Sequence, residues 1–86
     1  MIKLKQIGSN QTELHFDNVQ HGLPTIVLFS YDTPVAAHVA GVGNVRTTTK
    51  YSSTTTKHIN RWLGKTTARP VSQKAIDSLL GKPYLG

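Results

Sequence analysis

Apolar and polar residues alternate with a period of two along the first half of the chain, and after residue 52 the spacing lengthens to that of a helix. Ile2, Leu4 and then Ile7 alternate with Lys3 and Lys5, the pattern of a half-buried strand. Gly8-Ser9-Asn10-Gln11 predicts a turn, after which Leu14 and Phe16 alternate with Glu13, His15 and Asp17. Breakers crowd the stretch from Asn18 to Pro24, which reads as a loop. Thr25 to Tyr31 is β-branched, aromatic and apolar on both faces, as a central strand requires. Asp32-Thr33-Pro34 predicts the next turn, because proline fixes φ and disfavours helix before it. Val35, Ala37 and Val39 then share one face, and Gly41-Val42-Gly43-Asn44 predicts a hairpin loop. In the fifth strand Val45, Thr47, Thr49 and Tyr51 share a face, with Arg46, Thr48 and Lys50 on the other.

Ile59, Trp62 and Leu63 stand at i, i+3 and i+4, and Gly64 is placed to end a helix in the left-handed conformation. Ser52, Ser53 and Thr54 offer N-caps, without the Glu or Gln that completes a capping box. A second helix starts at Ser72, stapled by Val71 and Ile76 and stopped by Gly81 after Leu79 and Leu80. Lys65 to Pro70 reads as a basic linker between the helices. The expectation is an α+β domain: an antiparallel meander of about five short strands followed by two short helices. Its 86 residues make one domain, mainly β over 1–51 and helical over 52–81. Eight of the ten residues from Thr47 to Thr56 are Ser or Thr, a bias that a free linker would share, but Tyr51 and the helical spacing after it favour ordered structure.

Composition narrows the chemistry. With no cysteine the chain has no disulfide, thiolate metal site or thiol nucleophile. The longest apolar run, Ile26 to Phe29, is far short of the ~20 residues of a membrane span, and the N-terminus alternates rather than forming a signal peptide. A cytoplasmic protein is expected, in a host cytoplasm if a phage encodes it. The net charge of +6 is uneven. Residues 46–86 hold eight cations against Asp77 alone, net +7, while residues 1–45 are net −1. Such asymmetry suits a partner rich in phosphate or carboxylate, although a solvated basic face that aids solubility would read the same way.

The first helix concentrates the candidate residues. Lys57, Arg61 and Lys65 follow at i, i+4 and i+8, a stripe expected on the face away from Trp62 and Leu63. Arg46 and Lys50 extend it across the sheet edge, and Arg69 follows in the linker. Ser53, Thr54 and Thr55 lie at the helix N-terminus, where unsatisfied N–H groups favour an anion, with Lys57 and His58 in the first turn. Plain capping needs the same hydroxyls. Gly64-Lys65-Thr66-Thr67 mimics the end of a phosphate-binding loop, but Ile59 stands where that motif needs its first glycine. His15, His21, His38 and His58 lack zinc-site spacing, so no metal and no cofactor are expected. Glu13 and Asp17 would lie roughly 13 Å apart on a strand, too far for paired acid–base work. No catalytic residues are expected. Trp62 and the tyrosines could stack bases, although the spacing of Trp62 suits a core position better, and Tyr84 falls in a terminal tail.

Two segments carry a resemblance: Ser30-Tyr31-Asp32-Thr33-Pro34-Val35-Ala36, and Tyr51-Ser52 through Thr54-Thr55-Thr56-Lys57-His58-Ile59 to Trp62. Together they resemble small uncharacterised domains common in bacteriophage and prokaryotic genomes. The resemblance covers about residues 28–63 and implies a phage-type accessory protein with no activity to carry over. It also implies that Tyr31, Thr33, Ser52, Thr55 and His58 form one motif, in a fold role or a ligand role. The leading expectation is a non-enzymatic accessory protein that binds nucleic acid, or another phosphate-rich ligand, through its basic C-terminal half. Two alternatives stand beside it. One is a protein-binding inhibitor of a host complex, such as an anti-CRISPR or other anti-defence protein, using an edge strand or the 30–36 turn. The other is a sponge for a signalling nucleotide.

Overall fold

The alternating first half folds as five antiparallel strands in chain order: β1 (Lys3–Gly8), β2 (Gln11–Asp17), β3 (Pro24–Ser30), β4 (Thr33–Val39) and β5 (Gly43–Thr47). The computed structural model describes residues 2–17 and 24–80. Of the loop expected from Asn18 to Pro24, Pro24 instead opens β3 and the rest lies outside the described residues, as do the helix stop at Gly81 and the tail after it. Helix α1 (Ser53–Leu63) follows the meander, then β6 (Arg69–Val71) and helix α2 (Gln73–Leu79). The result is the expected α+β fold, with one strand more than the alternation shows.

That strand corrects the reading of Lys65 to Pro70 as a linker throughout. Arg69, Pro70 and Val71 pair in parallel with Val45, Arg46 and Thr47, so α1 is the crossover of a β5–α1–β6 unit. Pro70 is tolerated because β6 is the sheet's outer strand, where a missing N–H leaves no neighbour unbonded. β5 stops at Thr47, short of the expected Tyr51. The Thr47 hydroxyl accepts the Thr49 N–H at 3.1 Å, while the Thr48 N–H donates to the Val71 carbonyl at 2.8 Å. A side chain that captures the backbone two residues on ends the ladder.

The turn before β4 also lies earlier than Asp32-Thr33-Pro34. Ser30 and Thr33 already pair, leaving Tyr31 and Asp32 as the loop. Pro34 enters β4 beside a register shift between Leu28 and Phe29, a bulge that accommodates a residue with no ladder donor. Tyr31 takes φ 57°, a left-handed conformation that costs a side-chain-bearing residue roughly 1 kcal/mol. Its N–H donates to the Asn10 carbonyl at 2.7 Å, tying the β3–β4 turn to the β1–β2 turn.

Strand register places Lys5, Glu13, Leu28, Ala36 and Arg46 in one row and Leu4, Leu14, Val27, Ala37 and Val45 in the next, on the opposite face. α1 covers the first face. Its Ile59 and Leu63 join Leu28, Val35 and Ala36 in one buried cluster, against which Trp62 and Ala68 pack. Complete burial of side chains such as Leu28 and Ile59 is worth about 1.5–3 kcal/mol each. α2 packs on β4 and β5 and buries Ile76 completely. α1 packs chiefly on β3, and α2 on β4 and β5. The expected half-buried first strand is exposed, with Ile2 75% and Leu4 69% accessible. Among the described residues no helix is long and apolar enough to cross a membrane.

Candidate functional site

Ser52 caps α1 in extended conformation, its Oγ accepting the Thr55 N–H at 3.1 Å. The Ser52 hydroxyl donates in turn to Thr55 Oγ1 at 3.3 Å, and Thr55 is buried. Thr55 Oγ1 shares a 3.0 Å hydrogen bond with Ser30 Oγ, which also lies 2.8 Å from His58 Nδ1. The Tyr31 ring sits 6.0 Å from the His58 ring at a tilt of 42°. Ser30, Ser52, Thr55 and His58 thus form one hydrogen-bonded junction between the β3–β4 turn and the start of α1, with the Tyr31 ring against His58. Thr33 joins it only through its strand pairing with Ser30. The Thr55 hydroxyl is spent inside this junction, whereas Ser53 and Thr54 remain exposed.

Sequence spacing gave no sign that Ser30 and His58 would meet. A serine and a histidine at 2.8 Å invite comparison with a nucleophile and its base. Ser30 is only 2% accessible, however, and its oxygen is shared with Thr55. That oxygen orients α1 and the His58 ring.

Beside this junction an open groove of about 670 Å³ runs between α1 and the β1–β2 hairpin. Thr54, Lys57, His58, Arg61 and Trp62 form its helical wall, following one another at helical i, i+3, i+4, i+7 and i+8. Ile7, Gly8, Ser9, Gln11 and Glu13 form the other wall. Lys57 and Arg61 consequently share a face with Trp62, contrary to the expected stripe on the far side. Lys65 is not part of that row either, since α1 ends at Gly64, which takes φ 60°. Lys57 and Arg61 are exposed, and among the described residues no carboxylate forms an ion pair with either.

The groove is closed below by Glu13, whose side chain is 18% accessible. The Trp62 indole N–H donates to its Oε2 at 2.8 Å, and His15 Nε2 lies 2.8 Å from its Oε1. Burial works against the Glu13 charge, but the hydrogen bonds from Trp62 and His15 and the nearby His15 and Lys5 outweigh it, holding the carboxyl below its ordinary 4.5. Trp62 therefore packs on the core and also anchors α1 to β2.

The remaining predicted residues fall elsewhere. Arg46 and Lys50 line a second groove, of about 310 Å³, on the β5 side of α1 together with Thr55, Thr56 and Ile59. Arg46 Nη1 donates to Asn60 Oδ1 at 3.0 Å, which holds its guanidinium against the helix. Arg69, at the start of β6, and Ser53 line neither groove. Gln11 and Glu13 were missed because they lie in the half whose net charge is −1. Among the described residues no group of three or more His, Asp or Glu is placed to hold a metal ion.

The chain belongs to a family of unknown function, DUF8033, whose model matches residues 2–78. That span runs from β1 through α2 and includes both walls of the main groove. No curated protein and no solved structure matches the chain.

Proposed function

We propose that this DUF8033 member is a non-enzymatic accessory protein of phage type that binds nucleic acid along the α1 face, through the phosphate backbone. One observation carries the reading: Lys57 and Arg61 stand exposed, one turn apart and, among the described residues, without a carboxylate ion-pair partner, on the lip of a groove. Arg46 and Lys50 supply positive charge on the other flank of the same helix. Backbone binding needs only cations, hydroxyls and helix N–H groups, all of which meet here. Helix geometry leaves the Ser53 and Thr54 N–H groups outside the intrahelical ladder, next to the exposed hydroxyl of Thr54 and to Lys57. Tyr31 and Tyr51, 51% and 45% accessible, flank the start of α1, where unpaired bases could stack on them. That placement favours a single strand over a duplex.

The test is fluorescence anisotropy at low salt with labelled single-stranded and duplex oligonucleotides. Lys57→Ala and Arg61→Ala should each weaken binding by about 1 kcal/mol or more, as loss of a charge-assisted contact does, with little change in Tm. Unchanged affinity in both Lys57→Ala and Arg61→Ala, or no binding to any oligonucleotide, would refute the reading.

A further inference from the structure

β1 is the sheet's other outer strand; among the described residues β2 is its only neighbour, and no strand pairs with the other edge of its backbone. The opposite edge is protected by a strand of three residues containing Pro70. β1 is six residues long and exposed over all but its last. Alternation puts Ile2 and Leu4 on one face, and Lys3 and Lys5 on the face that carries Glu13 and α1. A strand that presents aliphatic side chains on one side and cations on the other can be matched by a complementary strand.

Self-pairing does not supply that match. In the central antiparallel registers between two copies of β1 that keep Ile2 and Leu4 on one face, lysine stands opposite lysine, and like charges directly opposed are destabilising. A strand alternating acidic and aliphatic residues satisfies both faces. We infer that β1 accepts, by strand addition, an extended segment of a protein partner whose sequence alternates acidic and aliphatic residues. Ile2, Lys3, Leu4 and Lys5 line neither groove beside α1, although Lys5 pairs across the strands with Glu13 of the main groove.

The probes are a fluorescent eight-residue peptide alternating Val and Glu, a Val/Lys counterpart, and two forms of the first N-methylated at alternate residues. The Val/Glu peptide should bind at least tenfold tighter than the Val/Lys peptide. Lys3→Glu should erase that preference, and Leu4→Ser should weaken binding fivefold or more. Both positions are exposed, and circular dichroism checks that the variants fold. Strand addition uses only every second N–H of the peptide, so one N-methylated form should lose binding and the other keep it. No binding at millimolar peptide, or equal binding of both N-methylated forms, would overturn the inference. So would self-association in sedimentation that Leu4→Ser abolishes, which would make a second copy the occupant.

Discussion

Replacing Trp62 by Phe removes one N–H while keeping an apolar ring to pack against the buried cluster that contains Leu28, Ile59 and Leu63. The lost donor is the indole that meets Glu13 Oε2 at 2.8 Å and links α1 to β2 across 49 residues of chain. Hydrogen bonds to charged groups contribute about 1.5–3 kcal/mol. Glu13 keeps His15 at 2.8 Å and its side chain is 18% accessible, so water and His15 compensate in part. We therefore expect the low end, about 1.5 kcal/mol. At ~0.05–0.15 kcal/mol per residue a chain of this size holds roughly 4–13 kcal/mol in all, so the loss is readily measured. It corresponds to a fall in Tm of about 6–12 °C. Urea unfolding of wild type, Trp62→Phe, Glu13→Ala and the double variant isolates the pair from the packing change. A coupling energy of about 1 kcal/mol is expected. A value below about 0.3 kcal/mol would refute the argument that this contact anchors the helix, leaving the apolar cluster alone to hold it.

Three further outcomes follow from the same geometry. Because the folded-state pKa of Glu13 lies below its ordinary 4.5, its contribution to stability is full above that value and is lost as pH falls through the lowered one. Urea unfolding between about pH 6 and pH 3 should thus show wild type losing more stability than Glu13→Gln, and equal losses would contradict this. Ser52→Ala should cost ~1 kcal/mol in thermal unfolding, since it removes the cap on the Thr55 N–H, whereas Ser53→Ala, at an exposed position, should stay within about 0.5 kcal/mol. Purified protein should not hydrolyse oligonucleotides or nucleotides; turnover that disappears in His58→Ala would make the Ser30–His58 pair catalytic.

The parts of the fold visible in the sequence are those where local pattern and tertiary burial agree. The apolar run over residues 25–29 became the central strand, with Val27 and Leu28 fully buried. Ile59 and Leu63 gave the buried face of α1, and the caps at Ser52 and Ser72 stand where hydroxyls precede helical spacing. Elements decided by long-range pairing were not visible. β6 is three residues with a proline, and only its parallel pairing with β5 makes it a strand. Leu4 has the alternation of a buried residue and is exposed, on the sheet face opposite the one α1 covers. The candidate site divides in the same way. Lys57, His58 and Arg61 were legible from charge and spacing, but the wall they face comes from Gln11 and Glu13, more than 40 residues away in a half of opposite net charge.

Salt dependence tests the central claim most directly. Affinity for a single-stranded oligonucleotide should be measured from about 20 to about 300 mM salt, for wild type and for Lys57→Ala and Arg61→Ala. If the cations around α1 neutralise ~4 to 6 phosphates, log affinity should fall against log salt with a slope of roughly −3 to −5. Each alanine variant should make that slope shallower by about 1. A flat response in wild type, or variants whose slopes match it, would contradict phosphate-backbone binding by this face.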